Sequence, residues 1–281
     1  MRAFSFSHLR PARRISSLAA GTALAALLLT GCATTAEGGQ AEAAPVSAEA
    51  PAAAQASVAR GPFVSAANPL AVEAGMKVLA RGGSAVDAAV AIQAVLGLTE
   101  PQSSGLGGGA FMMFYDAESG AITVYDGRET APASATPELF YENGKPLAFV
   151  DAVLSGRSTG APGVVPMLAL AQQQHGALAW SDLFGDAEKL AQDGFIVSPR
   201  LAGMINGDAP QAKTRWATEY FTKPDGARYQ AGETLRNPAY AETVRRIARE
   251  GAAALQQGPL PEAIVAAVNE GPRPGSLTAA D

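Results

Sequence analysis

Residues 82–132 read GGSAVDAAVAIQAVLGLTEPQSSGLGGGAFMMFYDAESGAITVYDGRETAP, and no other stretch of the chain carries as much structural information. Ser84 begins a helix, with Asp87 three residues later as its partner in a capping box. Apolar residues lie on almost every side of this helix, which is typical of a helix buried in the core. These residues are Val86, Val90, Ile92, Val95 and Leu96.

A β-hairpin is predicted after the helix. Residues 111–115 form a short continuous apolar run, typical of a central strand, and residues 122–125 alternate in polarity. Residues 118–120 supply the turn between the two strands.

Helices dominate the rest of the chain. Upstream, Asn68 can cap a helix that has Pro69 at its first position. Downstream helices are predicted at residues 163–174, 181–192, 238–250 and 260–269. The residues therefore predict a mixed α/β fold with an incomplete sheet.

The glycine loop at residues 105–109 does not fit a phosphate-binding loop. A dinucleotide fingerprint needs a strand before the glycines and a helix after them, whereas here a helix precedes and a strand follows. We interpret these glycines as positions where the backbone passes close to other backbone or to a ligand.

Arg128 lies between two carboxylates, in the run Asp126-Gly127-Arg128-Glu129 at the end of the second strand. One interpretation is a solvated turn whose ion pairs contribute little to stability. The other is that the guanidinium binds a substrate carboxylate through two parallel hydrogen bonds, while Asp126 and Glu129 hold it in place. Spacing alone favours the turn.

The residues of the chain do not complete any familiar catalytic set. A hydrolytic triad needs a histidine near a nucleophile, and the one histidine after the N-terminal region is His175, at a predicted helix C-terminus. A protonated ring there favours the helix dipole, so we interpret His175 as structural. Cys32 is the only cysteine, which excludes a cysteine-based zinc site. We predict no metal and no cofactor.

The N-terminus resembles a bacterial lipoprotein export signal over residues 1–32. Residues 1–14 are basic, and residues 15–29 are apolar but too short to span a bilayer. The run Leu29-Thr30-Gly31-Cys32 resembles a lipobox, which predicts lipidation of Cys32. Residues 33–60 are rich in alanine, glutamate, proline and serine and predict a disordered tether, so that residues 61–281 form the folded part.

The charge of the chain argues against a nucleic-acid partner. The formal net charge is −5, and residues 1–31 carry four arginines and no acid. Taking those four from the 21 basic side chains leaves 17 against 26 acidic ones, a net charge of −9. Nucleic-acid binding would instead need a basic face.

The body of the chain resembles the N-terminal part of the γ-glutamyltransferase (glutathione hydrolase) large subunit. The motifs that carry the resemblance are GSAVDAA, PQSSGLGGG and DGRETAP, continued by STGAPG at 158–163, LAQDGFIVSPRLA and the final GSLTAAD. Together they cover residues 61–281.

The resemblance implies an α+β fold, the αββα sandwich of N-terminal-nucleophile hydrolases, present only in part in this chain. In the family a precursor cleaves itself, and the new N-terminal threonine of the small subunit attacks the γ-glutamyl amide. That threonine is expected downstream of Asp281, so no catalytic residue is assigned here. The arginine matched by Arg128 binds the substrate α-carboxylate in the family, which reverses the local preference for a turn.

The expected activity is cleavage of γ-glutamyl amides such as glutathione, by hydrolysis or by transfer to an amino acid. The expected partners are these small molecules, the C-terminal part or small subunit, and a membrane reached through Cys32, on the periplasmic face of the outer membrane. One alternative is a β-lactam (glutaryl) acylase of the same superfamily. Another is an inactive truncated remnant that acts at most as a binding protein.

Overall fold

The computed structural model describes residues 3–6 and 61–281, so Cys32 and the tether at 33–60 lie outside the described residues. The helices are α1 Pro69–Ala80, α2 Ala85–Thr99, α3 Phe149–Val153, α4 Val164–His175, α5 Gly185–Asp193, α6 Pro199–Asn206, α7 Arg215–Phe221, α8 Pro238–Glu250 and α9 Pro259–Val268. The strands are β1 Ala3–Phe6, β2 Ala110–Tyr115, β3 Ile122–Gly127, β4 Tyr141–Glu142, β5 Lys145–Pro146, β6 Phe195–Ile196 and β7 Thr234–Leu235. None of the described helices is long and apolar enough to cross a membrane.

Both predicted helix starts in the N-terminal half are confirmed. The Asn68 side chain accepts a hydrogen bond from the backbone N–H of Leu70 at 3.0 Å, with Pro69 in the first turn of α1. Ser84 and Asp87 form the expected capping box at the start of α2. The two helices pack closely, because Gly75 has no Cβ where one would meet the Ile92 side chain at 2.7 Å.

Asp87 does more than cap α2. It is fully buried, and its Oδ2 also accepts hydrogen bonds from the backbone N–H groups of Ala177 at 2.8 Å and Leu178 at 3.1 Å. Gln172 donates to Oδ1 at 3.2 Å. Burial alone would raise the pKa of this carboxyl, but the hydrogen bonds from Ala177, Ser84, Gln172 and Leu178 together hold the pKa below its usual value.

The sheet around the hairpin has the strand order β1-β3-β2 and is antiparallel throughout. The register of β2 on β3 runs from Ala110 opposite Gly127 to Tyr115 opposite Ile122. Strand β2 was predicted to be central, whereas among the described residues it pairs with β3 alone. It lies at the edge of this sheet, and the outward side chains of Phe111, Met113 and Tyr115 are 64%, 74% and 63% exposed. A continuous apolar run does not distinguish a strand buried on both faces from a strand whose second face lies open.

Helix α4 covers the inner face of the hairpin. It was predicted at residues 163–174 and is observed one residue later, with Val164, Val165, Met167, Leu168 and Ala171 buried. The single helix predicted at residues 181–192 is instead a 3₁₀ turn followed by α5. Leu183 ends the 3₁₀ turn and Phe184 lies between that turn and α5, and both side chains are buried.

A second, smaller apolar cluster lies around residues 195–241. Strands β6 and β7 pair through Phe195 opposite Leu235, and both side chains are buried. Arg228 ties the surrounding loops together by donating to the carbonyl oxygens of Ile205 at 3.0 Å and Ala212 at 2.7 Å. Leu98, at the C-terminal end of α2, belongs to this cluster, and none of the buried members lines the cavity described below.

Candidate functional site

Arg128 follows the last residue of β3 and lines an open cavity of about 1500 Å³. Its side chain is 70% exposed, and its Nε lies 3.6 Å from Glu129 Oε2. This separation gives an ion pair but is too long for a hydrogen bond. The fork of the guanidinium is thus open to the cavity, as binding of a planar carboxylate requires.

The two acidic neighbours of Arg128 have different roles. Glu129 approaches the guanidinium, in agreement with the proposed holding role. Asp126 does not hold the fork: its Oδ1 accepts a hydrogen bond from the backbone N–H of Arg128 at 2.9 Å. For Asp126 the prediction was therefore wrong, because an aspartate can bond to the backbone two residues ahead and close an Asx turn.

Glycines fix the backbone around Arg128. A Cβ on Gly127 would lie 2.5 Å from Met167 Cβ, and one on Gly163 would overlap the carbonyl oxygen of Gly127. The carbonyl oxygen of Gly108 accepts hydrogen bonds from the backbone N–H groups of Gly163 and Val164, both at 3.0 Å. The glycine loop, the end of β3 and the start of α4 therefore meet backbone to backbone, as the interpretation of the glycines predicted.

The segment at 158–163 runs beside the chain that follows Arg128. Thr130 and Ala161 form an antiparallel bridge, in which the Ala161 N–H donates to the Thr130 carbonyl oxygen at 2.9 Å. A Cβ on Gly160 would lie 2.7 Å from the same oxygen. Reasoning from the residues missed this pairing, although two glycines within 158–163 signal a close approach of backbone.

The His175 side chain contacts two aromatic side chains of the hairpin. Its ring stacks on Phe114 with centroids 4.0 Å apart, and its Nε2 lies 2.8 Å from the hydroxyl of Tyr125. The Tyr125 hydroxyl donates to Gln174 Oε1 at 2.5 Å, and burial raises the pKa of Tyr125. These contacts fasten β3 to the end of α4, on the face of the sheet opposite to the exposed side chains of β2.

The lining of the cavity combines polar and apolar groups. Asp126, Arg128 and Glu129 lie on its wall, together with apolar side chains of α4 and α9 and the segment 277–281. Asp281 Oδ1 accepts a hydrogen bond from the Ala133 N–H at 2.6 Å, and this bond holds the pKa of the Asp281 carboxyl below its usual value. Within residues 61–281, no three histidine, cysteine, aspartate or glutamate side chains are grouped so that they could hold a metal ion.

The comparison with known families agrees with this geometry. The family model described as gamma-glutamyltranspeptidase matches residues 71–281, which include the hairpin, the glycine loop and every wall of the cavity. The chain belongs to the γ-glutamyltranspeptidase family.

Individual γ-glutamyltranspeptidase relatives support the same assignment. The chain is 40% identical over 205 residues to the glutathione hydrolase proenzyme of Bacillus subtilis, covering 73% of this chain and 35% of that protein. It superposes on the crystal structure of Helicobacter pylori γ-glutamyltranspeptidase with a TM-score of 0.68 and 31% identity, over 74% of this chain and 59% of that one. Cephalosporin acylase from Bacillus halodurans matches with a TM-score of 0.59 and 27% identity, over 74% and 42% of the two chains.

These neighbours confirm the α+β fold of the N-terminal-nucleophile hydrolases, of which the described residues form a part. The chain spans about a third of the length of the curated γ-glutamyltranspeptidase relatives that it matches.

Proposed function

We propose that this chain is the N-terminal portion of a γ-glutamyltransferase that cleaves γ-glutamyl amides such as glutathione, by hydrolysis or by transfer to an amino acid. The observation that carries the proposal is the position of Arg128, an exposed guanidinium on a glycine-fixed backbone at the wall of an open cavity. In this proposal Arg128 binds the α-carboxylate of the γ-glutamyl group. The nucleophile is a threonine, made N-terminal by self-cleavage, that is not among residues 1–281.

The charge around Arg128 suits this role. Among the described residues, Glu129 supplies the one carboxylate within 4 Å of the guanidinium, and it contacts only the Nε edge. The two terminal nitrogens remain available for paired hydrogen bonds to a substrate carboxylate, which is the strongest arrangement for arginine. On binding, the substrate would bury a guanidinium that is now mostly in solvent.

The test uses the protein as its gene encodes it, with a chromogenic γ-glutamyl anilide as substrate. We expect Arg128→Ala to lower kcat/KM by the equivalent of about 2–5 kcal/mol, the usual loss when one partner of a buried charged pair is removed. Arg128→Lys keeps the charge but loses the fork, so we expect an intermediate loss.

Arg249→Ala is the matched control, because Arg249 also lines the cavity but pairs with Glu250 at 3.7 Å. We expect it to change kcat/KM by less than about twofold, as for other surface pairs. An Arg128→Ala variant as active as the wild type would reject the proposal.

The acylase alternative rests on the likeness to cephalosporin acylase. A glutaryl group keeps the terminal carboxylate of a γ-glutamyl group and lacks only the α-amine, so Arg128 could bind either group, and a requirement for the amine distinguishes the γ-glutamyltransferase from the acylase. We expect γ-glutamyl anilide to react much faster than glutaryl anilide. Equal rates on the two anilides would favour the acylase, and no reaction with either would favour an inactive remnant that only binds.

We also propose that the protein is an exported lipoprotein, anchored through Cys32 on the periplasmic face of the outer membrane. The support is the basic, then apolar, then Leu-Thr-Gly-Cys order of residues 1–32. The proposal implies that β1, which lies within this segment, is removed from the mature protein, whose sheet then keeps β3 and β2. Metabolic labelling with an alkyne fatty acid should tag the wild type and fail on Cys32→Ser. Equal labelling of both proteins would exclude lipidation at Cys32.

A further inference from the structure

We infer that Asp126 is a positioning residue for Arg128 and acts through the backbone rather than through its charge. This inference rests on the proposed function, in which Arg128 binds the substrate carboxylate. It names a second residue of the carboxylate site and states which atom of that residue matters.

The hydrogen bond that carries the inference joins Asp126 Oδ1 to the backbone N–H of Arg128 at 2.9 Å. Asp126 lies opposite Phe111 in the β2–β3 register, on the exposed face of the sheet. Its side chain reaches forward along its own chain, and this closes a turn at the point where β3 ends. Among the described residues, this oxygen is the only acceptor of the Arg128 N–H.

The backbone on either side of Arg128 is fixed by other contacts. Gly127 is held between Met167 and Gly163, and Thr130 is held by its bridge to Ala161. Between these points the orientation of the Arg128 peptide depends on the bond to Asp126. Losing that bond would let the peptide rotate and carry the guanidinium away from the direction that substrate binding needs.

The charge of Asp126 works against a carboxylate substrate. Asp126 lines the same cavity as Arg128, and an anion there repels a second anion over distances of about 10 Å at moderate salt. An amide oxygen can accept the same hydrogen bond without that charge. The acceptor atom and the charge can therefore be separated by substitution.

The experiment compares Asp126→Asn, Asp126→Ser and Asp126→Ala in the protein as its gene encodes it. Steady-state kinetics on the γ-glutamyl anilide give KM and kcat, and competitive inhibition by L-glutamate gives Ki as a direct measure of carboxylate binding. We expect Asp126→Ala to raise KM and Ki about 5- to 10-fold, the usual effect of one lost hydrogen bond, with kcat changed less than about twofold.

The conservative variants show whether the acceptor oxygen or the charge of Asp126 is what matters. Asp126→Asn keeps the acceptor oxygen and removes the charge, so its KM and Ki should be no higher than those of the wild type. Asp126→Ser can accept the same bond more weakly and should fall between the asparagine and alanine variants.

Asp225→Ala is the matched control. Asp225 Oδ1 accepts the N–H of Ala227 at 2.9 Å, which is the same turn two residues ahead, in a loop that does not line the cavity. We expect this control to leave KM and Ki unchanged. A similar rise in KM for Asp225→Ala would mean that the effect is general loosening of the fold, and the inference would be rejected.

Two results overturn the inference while leaving the proposed function in place. One is a rise in KM for Asp126→Asn as large as that for Asp126→Ala, which would show that the charge matters. The other is wild-type behaviour of Asp126→Ala while Arg128→Ala has lost activity. If Arg128→Ala is itself unaffected, the proposed function fails instead. Thermal unfolding of each variant checks its fold, and if Asp126→Ala does not fold, the asparagine variant alone decides.

Discussion

The backbone N–H of Ala177 donates a hydrogen bond to Asp87 Oδ2 at 2.8 Å, across 90 residues of sequence. Asp87 belongs to the first turn of α2, and Ala177 belongs to the loop after α4. One buried carboxylate therefore caps the first turn of α2 and also accepts hydrogen bonds from two backbone N–H groups in the loop after α4. Because Gly163, immediately before α4, packs against Gly127 beside Arg128, this bond links the core helix to the site.

Replacing Asp87 should lower the free energy of unfolding. In Asp87→Asn one oxygen can still accept from Ala177, but the new amide nitrogen faces the donor of Gln172. We expect a loss of about 2–3 kcal/mol, since hydrogen bonds to charged groups contribute about 1.5–3 kcal/mol each. Urea unfolding measures the loss. Asp208→Asn is the control, because the Asp208 side chain is fully exposed, and a similar loss in both variants would contradict the prediction.

The stabilising effect of Asp87 should disappear in acid. Its pKa is lowered in the folded state from a usual 3.8, so its contribution is fully present above about pH 3.8 and is lost as the pH falls through the lower folded value. The difference in melting temperature between wild type and Asp87→Asn should therefore be constant near neutral pH and shrink below about pH 3.8. A difference that grows toward low pH would contradict this sign.

The longer helices were well predicted, because their signals are local, whereas the shorter helices α3, α6 and α7 were not predicted. The caps at Asn68 and Ser84, the helix Pro238–Glu250 and the start of the hairpin each depend on residues within one or two turns. The prediction errors occurred at positions whose burial depends on residues far away in the sequence. Strand β2 reads as buried from its composition alone, and the 3₁₀ turn before Phe184 makes a contact that its local sequence does not reveal, from the Trp180 indole N–H to the carbonyl oxygen of Ile247 at 2.9 Å.

The site was predicted in part. The residues alone favoured a surface turn at Arg128, and the family resemblance supplied its proposed role. Neither showed that Asp126 bonds to the backbone, because a carboxylate beside an arginine in sequence suggests an ion pair first. The contact of Gly163 with Gly127 spans 36 positions, and only the three-dimensional structure brings the two together.

Alanine at Gly163 should disturb both the fold and the site. Its Cβ would overlap the carbonyl oxygen of Gly127, which is backbone and cannot rotate away. Overpacking of this kind typically costs about 1–3 kcal/mol of stability, and the shift of Gly127 should also raise KM for a γ-glutamyl amide. Urea unfolding and steady-state kinetics measure the two effects.

Gly105→Ala is the comparison for this variant, because nothing lies within 4 Å of the position that its Cβ would take. We expect its stability to stay within about 0.5 kcal/mol of wild type, as for other surface changes. A large loss of activity in Gly105→Ala without loss of stability would mean that the glycine loop contacts a ligand, and the close-packing interpretation would be incomplete.

Removing the Tyr125 hydroxyl should destabilise the attachment of β3 to α4 without changing the chemistry. Tyr125 is buried, and its hydroxyl bonds both Gln174 and His175. Tyr125→Phe leaves those two groups unpaired at the end of α4, and we expect a loss of about 1–2 kcal/mol in the free energy of unfolding. Tyr115→Phe, on the exposed face of the same hairpin, should change the free energy of unfolding by less than about 0.5 kcal/mol.

Because His175 is interpreted as structural, the dependence of kcat on pH should be the same in Tyr125→Phe and wild type. A shifted pH profile in Tyr125→Phe would instead place the Tyr125–His175 pair in the reaction.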